Sequence, residues 1–249
     1  MEGSNREVKE YEYLAYYYDY LLGDEEAFDL WLKYILEKPF KTCLELASGS
    51  GVLANILKNK GYDIIASDIS ENMKDVATKN YNLDYRILNM IDFDLKQSFD
   101  LVLCVCDSIN YLYLDELDSM FECVYKHLNK DGRFIFDMHN TKRLEEFSEE
   151  YIEEGQIDDD TFYQWTINSD VDDRTISEHF AFYTKEGMIT EQHTQNVFEV
   201  DDVCRMLENN DFKVKVIKDF VEDEKILIIG EKRWRNGIDS LTLIEGYGL

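Results

Sequence analysis

The sequence has 249 residues, 45% of them hydrophobic and 32% charged, which is enough for one α/β unit with an inserted element and a core of its own. Its 53 acidic against 26 basic residues give a formal net charge of -27, which repels phosphate backbones and excludes nucleic acid as an expected partner. No apolar run approaches the roughly 20 residues that span a bilayer, and the polar stretch 1–10 lacks a signal-peptide core, so a cytoplasmic protein without a membrane partner is expected.

The stretch 11–36 has helical spacing, with Phe28, Trp31, Leu32 and Ile35 recurring at three and four residues, and Pro39 ends it. A strand is expected at 41–46 and a helix at 51–60 with Gly61 as its stop. A strand at 62–67 follows, then a helix at 71–79 capped by Ser70. Strands at 83–88, 99–105 and 133–138 and a helix at 115–128 continue the alternation. The near-continuous apolar run 99–105 suits a strand covered on both faces. Strands separated by helices imply a parallel sheet of right-handed crossovers. The period then changes to three β segments, 161–168, 175–184 and 189–198, with turns at Asp172-Asp173 and Glu186-Gly187, which reads as an inserted antiparallel ribbon. A helix at 200–209 and strands at 212–220 and 225–230 close the pattern. The last two lie so near in sequence that they must pair antiparallel.

The cysteines Cys43, Cys104, Cys106, Cys123 and Cys204 are odd in number and form no CxxC; Cys43, Cys104 and Cys106 lie in apolar strand-like runs and read as small hydrophobes in a reducing compartment, and no metal site is expected.

The chemistry-bearing constellation is Glu45-x-Ala47-x-Gly49-x-Gly51 at a strand-to-helix turn, with Asp68 at the end of the next strand. Glycines let the backbone approach a ligand, and the helix start offers unpaired N–H groups. Asp68 is placed for ribose hydroxyls. Gly49-x-Gly51-x-x-Ala54 also fits a dinucleotide pattern, so the glycines alone leave two cofactors open. A carboxylate at Glu45 disfavours a pyrophosphate and suits the cationic amino-acid end of S-adenosylmethionine.

With these residues the chain resembles class I S-adenosylmethionine-dependent methyltransferases, whose first motif is an acidic residue before GxGxG; Ala47 stands where the first glycine is usual. The resemblance implies an α/β fold with a Rossmann-like, seven-stranded, mostly parallel sheet whose last strand is antiparallel, plus a small antiparallel β lid. The cofactor-binding domain would take 1–148 and 199–233, the lid 149–198 and a C-terminal tail 234–249. It further implies a ribose acid at Asp68, adenine-side neighbours at Ile69, Met73, Asn89 and Met90, a methyl-bordering loop at Cys106–Tyr111, and a covering helix carrying Tyr18. The inserted ribbon is similar to the lid of a subgroup that methylates amino groups of small metabolites; His193-x-x-Asn196-x-Phe198 is like its His-x-x-Arg-x-Tyr run at one of three positions.

The acceptor is therefore expected to be a small molecule methylated at nitrogen, by a monomer or homodimer. Methyl transfer from a sulfonium needs alignment and exclusion of water, and a base only when the acceptor arrives protonated. His139, His179 and His193 are the candidate bases, His193 foremost, and Asp107 and Tyr111 are candidates for orienting a cationic amine. Tyr163 and Trp165 face either the cleft or the lid's own core. Two other readings stay open: an NAD-dependent oxidoreductase on the same nucleotide fold, and a non-catalytic S-adenosylmethionine-binding protein.

Overall fold

Strands and helices alternate from residue 42 onward because apolar β-rich runs are punctuated by glycines and caps. The structure, a computed structural model, describes residues 6–23, 25–221 and 224–233; the expected tail at 234–249 lies outside them. In chain order the elements are β1 (Arg6–Val8), a 3-10 turn (Leu14–Tyr16), α1 (Tyr18–Leu21), α2 (Glu25–Ile35), β2 (Thr42–Glu45), α3 (Val52–Asn59), β3 (Asp63–Asp68), α4 (Glu71–Asn80) and β4 (Asp84–Ile87). Next come β5 (Phe99–Cys104), a 3-10 turn (Ser108–Tyr111), α5 (Glu116–His127), β6 (Leu128–His139) and α6 (Lys142–Glu146). The second half holds β7 (Tyr151–Asp158), β8 (Thr161–Asp170), β9 (Thr175–Thr184), β10 (Gly187–Asn196), α7 (Val200–Asn209), β11 (Phe212–Val221) and β12 (Lys225–Lys232).

Seven strands form the larger sheet in the order β11-β12-β6-β5-β2-β3-β4. The β2–β3, β2–β5, β3–β4 and β5–β6 pairs are parallel, and β12 is antiparallel to both its neighbours. Strand order reverses between β2 and β5, and ligands of open α/β sheets bind in the crevice beyond the carboxyl ends at such a point. Both faces are covered. Phe121 and Val124 of α5 with Leu207 of α7 pack on one side, and Trp31 and Ile35 of α2 with Leu57 of α3 on the other. The cap expected at Ser70 forms, its Oγ accepting from Met73 N at 3.2 Å.

Five strands form the second sheet, in the order β1-β10-β9-β8-β7. Two of them were not foreseen. Strand β7 is an edge strand of alternating exposed and half-exposed residues and shows no apolar run. Strand β1 enters from the N-terminal segment and pairs parallel with β10, Val8 opposite Glu191. The helix expected across 11–36 is interrupted: Tyr11 has φ of 55°, a 3-10 turn follows, and α1 spans only four residues. The reason is tertiary, because the N–H groups of Tyr11, Tyr13 and Leu14 are bound by the Glu191 carboxylate and not by carbonyls of a helix. Tyr13 and Tyr17 pack on Phe182 of β9.

Candidate active site

A cavity of about 1500 Å³ opens at the carboxyl ends of β2, β3, β5 and β6 and runs beneath the second sheet. Its near half is built by the turn after β2. Glu45 ends that strand and is buried, its Oε2 accepting from Ser48 Oγ at 2.9 Å. Burial, with the Asp68 charge nearby, pushes its carboxyl up to about 8. Ala47, Gly49 and Gly51 all take left-handed φ of 49°, 52° and 81°. A Cβ on Gly49 would meet nothing within 4 Å, whereas one on Gly51 would lie 2.8 Å from Leu83 Cδ1. Gly49 thus lines the cavity with open space where a Cβ would stand, and Gly51 is a packing requirement.

Asp68 ties this turn to the next strand, Oδ2 accepting from Gly49 N at 3.0 Å and Oδ1 from Ser70 N at 2.9 Å. Burial raises its carboxyl, and those N–H groups oppose the rise. Ile69, Met73, Asn89 and Met90 line the same half, with Met73 buried and Ile69 largely exposed. The Asn89 Oδ1 already accepts from Ile91 N at 3.2 Å. Tyr18 covers this half from α1, and Asp19 Oδ1 accepts from Ser50 Oγ at 2.5 Å. A buried carboxylate on one side and a glycine without Cβ contacts on the other suit a ligand that is cationic at one end and presses close to the backbone.

The far half is bordered by the loop after β5. Cys106 and Asp107 both have positive φ, 59° and 50°. Such non-glycine residues cost roughly 1–3 kcal/mol each and persist only when over-determined. Asp137 of β6 supplies the determination: fully buried, it accepts Cys106 N at 2.8 Å, Asp107 N at 3.0 Å and Trp31 Nε1 at 3.0 Å. Lys225 of β12 pairs with Asp107 at 2.7 Å and stands 3.8 Å from Asp137. Burial alone would raise the Asp107 carboxyl, but Lys225 and His139 hold it at about 2. Asp137 is pushed up to about 6 by burial and by Asp107, against the pull of Lys225.

Of the expected acceptor-side residues, Asp107 and Tyr111 line the cavity. The Asp107 carboxylate is committed to Lys225 and, at 3.3 Å, to His139 Nε2. His193 is not in the wall; it is buried behind Tyr111, whose hydroxyl lies 3.1 Å from His193 Nδ1. His193 Nε2 bonds Glu191 Oε1 at 2.7 Å. His139 lines the wall, with its ring held below its ordinary pKa by burial. His179 lies on the exposed face of β9. Trp165 lines the cavity and stacks on Phe180, while Tyr163 turns away and donates to Glu153.

Sequence reasoning missed Glu178, Glu191 and Lys225. Glu178 sits in phase with Ile176, Phe180 and Phe182, the buried face of β9. Glu191, His193 and Gln195 likewise share the buried face of β10, in phase with Val197 just beyond its end. Charged residues in phase with an apolar face were the available signal. Lys225 carried none, since its role depends on β12 lying beside β6. Among the described residues no group of three or more His, Cys, Asp or Glu side chains could hold a metal, and no helix is long and apolar enough to cross a membrane.

Comparison with known proteins agrees with this geometry. Residues 43–132 match the family described as a methyltransferase domain. A protein of Geobacillus sp. (strain WCH70) named as a methyltransferase is 26% identical over 247 residues, covering 89% of this chain and 99% of the relative. The crystal structure of an S-adenosylmethionine-dependent methyltransferase from Clostridium acetobutylicum superposes with a TM-score of 0.74 at 23% identity, covering 89% of this chain and 98% of that one. The sugar N-methyltransferase KedS8 from Streptoalloteichus sp. superposes with a TM-score of 0.77 at 19% identity, covering 90% and 94%. These similarities support a class I S-adenosylmethionine-dependent methyltransferase, with S-adenosylmethionine as the cofactor the site takes.

Proposed function

We propose that the enzyme methylates the nitrogen of a small cationic amine. The carrying observation is Glu178: it lines the far half of the cavity, and among the described residues none hydrogen-bonds or ion-pairs with its carboxylate. Burial first, then the Asp107 charge, pushes it up to about 7. A carboxylate so placed gains most from a cation brought to it. Asp107, spent on Lys225, fixes the loop in place of orienting the amine. The similarity in fold to KedS8, a sugar N-methyltransferase, is compatible with this reading.

In the near half, Glu45 and the turn Ala47–Gly51 hold the amino-acid end of the cofactor, Asp68 its ribose, and Ile69, Met73, Asn89 and Met90 its base; Tyr18 and Cys106 border it. S-adenosylmethionine supplies a methyl group on an electrophilic sulfur. The protein's own part is alignment and proton handling. Glu178 holds the ammonium, and Tyr111 accepts a proton from it while passing its hydroxyl proton to His193 Nδ1. The neutral nitrogen is then the nucleophile. The second sheet acts as a lid over residues 149–198, joined by β1, and the five free cysteines suit a cytoplasmic setting.

The test is a panel of small amines, alcohols and thiols scored by S-adenosylhomocysteine release. Amines are expected to turn over, and Glu178→Gln to lower their kcat/KM about tenfold, roughly one lost charged hydrogen bond, with cofactor affinity unchanged. Turnover confined to alcohols or thiols overturns the proposal.

A further inference from the structure

The Glu191 carboxylate has a role that neither cofactor nor acceptor contact explains. It is 2% exposed and receives four donors. Oε1 accepts Tyr11 N at 2.5 Å and His193 Nε2 at 2.7 Å; Oε2 accepts Tyr13 N and Leu14 N, each at 2.9 Å. Burial opposes its charge, but the His193 bond and those N–H groups hold its carboxyl below the ordinary value. Three of the four donors belong to the N-terminal segment 9–22, and the fourth is the residue behind Tyr111.

That segment is a strap across the cavity. Tyr11, Leu14, Tyr18 and Leu22 form its inner wall. On the side of the larger sheet it is fastened by Asn72 Nδ2 donating to Tyr11 O at 3.1 Å and by Ser50 donating to Asp19. On the lid side Glu191 fastens it through three backbone N–H groups, beside Tyr20 Oη donating to Gln156 O at 3.0 Å and the packing of Tyr13 and Tyr17 on Phe182. A cofactor seated under the strap exchanges only when the strap lifts.

We infer that Glu191 is a positioning residue that acts as a two-way latch, holding the strap closed over the cofactor and, with the same carboxylate, fixing the His193 ring so that Nδ1 faces Tyr111. With Glu191 on Nε2, the ring proton sits on Nε2 and Nδ1 is the acceptor for the Tyr111 hydroxyl. The Tyr11 hydroxyl, 2.7 Å from that of Tyr111, adds a second strap contact, and the Tyr11 ring rests edge-on against His193 with centroids 4.5 Å apart. Lifting the strap strips three donors from Glu191 and both Tyr11 contacts from the Tyr111–His193 pair. The arrangement for proton transfer is therefore complete only in the closed form. The proton-transfer role rests on the proposed amine reading; the latch itself does not.

The test needs no acceptor, so its failure is distinct from failure of the amine reading. Three quantities are measured on the enzyme saturated with S-adenosylhomocysteine: hydrogen exchange of the amides of Tyr11, Tyr13 and Leu14, the dissociation rate of S-adenosylhomocysteine, and the 15N shifts of the His193 ring. In the unaltered protein the ring proton is expected on Nε2. Glu191→Ala and the isosteric Glu191→Gln should expose the three amides and speed dissociation about tenfold, the worth of one to two lost hydrogen bonds. Asn72→Ala touches neither Glu191 nor His193, yet by loosening the strap it should speed dissociation and mix the His193 tautomers. A proton on Nδ1 in the unaltered protein overturns the inference. So does a folded Glu191 variant with unchanged dissociation, or a His193 ring indifferent to Asn72→Ala.

Discussion

Gly49 and Gly51 share a left-handed backbone for different reasons. At Gly49 an added Cβ meets open space, so alanine there costs only the strain of φ at 52°, about 1 kcal/mol. At Gly51 the same change adds contacts of 2.8 Å with Leu83 and 3.1 Å with Ala77. Gly49→Ala is accordingly expected to melt near the parent protein and bind S-adenosylhomocysteine at least about tenfold more weakly, because its Cβ would stand in the proposed cofactor cradle. Gly51→Ala should show the larger fall in melting temperature. Thermal unfolding with calorimetry separates the two, and an unchanged affinity in Gly49→Ala would place the cofactor elsewhere. The spacing of Glu45, Gly49, Gly51 and Asp68 was readable because one turn brings neighbours in sequence together in space. Glu178 and Glu191 were not, because their weight comes from burial under a lid whose register sequence does not specify.

Elements meet at Asp137. One carboxylate on β6 holds Trp31 of α2, the strained loop after β5 and, more distantly, Lys225 of β12. Asn in its place turns one acceptor into a donor facing an N–H and withdraws a charge from Lys225. Asp137→Asn should lose about 2–4 kcal/mol of unfolding free energy, the cost of a broken buried network, measured by urea denaturation. A loss below about 1 kcal/mol, an ordinary neutral hydrogen bond, would mean that other contacts hold Cys106 and Asp107 in their left-handed conformations. The alternation of elements was legible throughout 42–139, where each strand and helix buries its own periodic face. Within 11–36 the helical spacing of Phe28, Trp31, Leu32 and Ile35 held as α2, and it failed only at 11–22, where a distant carboxylate claimed the backbone donors instead.

On the scale of the whole molecule, acidic groups carry the pH dependence. Glu45, Glu178 and Asp137 are raised to about 8, 7 and 6 in the folded protein. Between the ordinary carboxylate range near 4 and those values, the folded state keeps protons that the unfolded state has released. Stability of the cofactor-free enzyme therefore falls as pH rises through that window. Asp107, held at about 2, works the other way: its contribution is present above the ordinary range and is lost as pH falls through about 2. The melting temperature should peak in mild acid and drop from pH 5 to 8, less steeply in Glu45→Gln, with the net charge of -27 adding repulsion in the same direction. A scan that is flat or rising over that range contradicts the burial of these carboxyls. Read alone, the sequence determined the constellation that points to the cofactor, since Glu45, two glycines and Asp68 lie within one strand-turn-helix-strand unit and local geometry suffices to join them. Only the tertiary structure decided how the far half of the cavity is arranged. Glu178, Asp107, Lys225, His193 and Glu191 come from separate elements, and which carboxylate remains unpaired depends on how β9, β10 and β12 pack around the loop after β5.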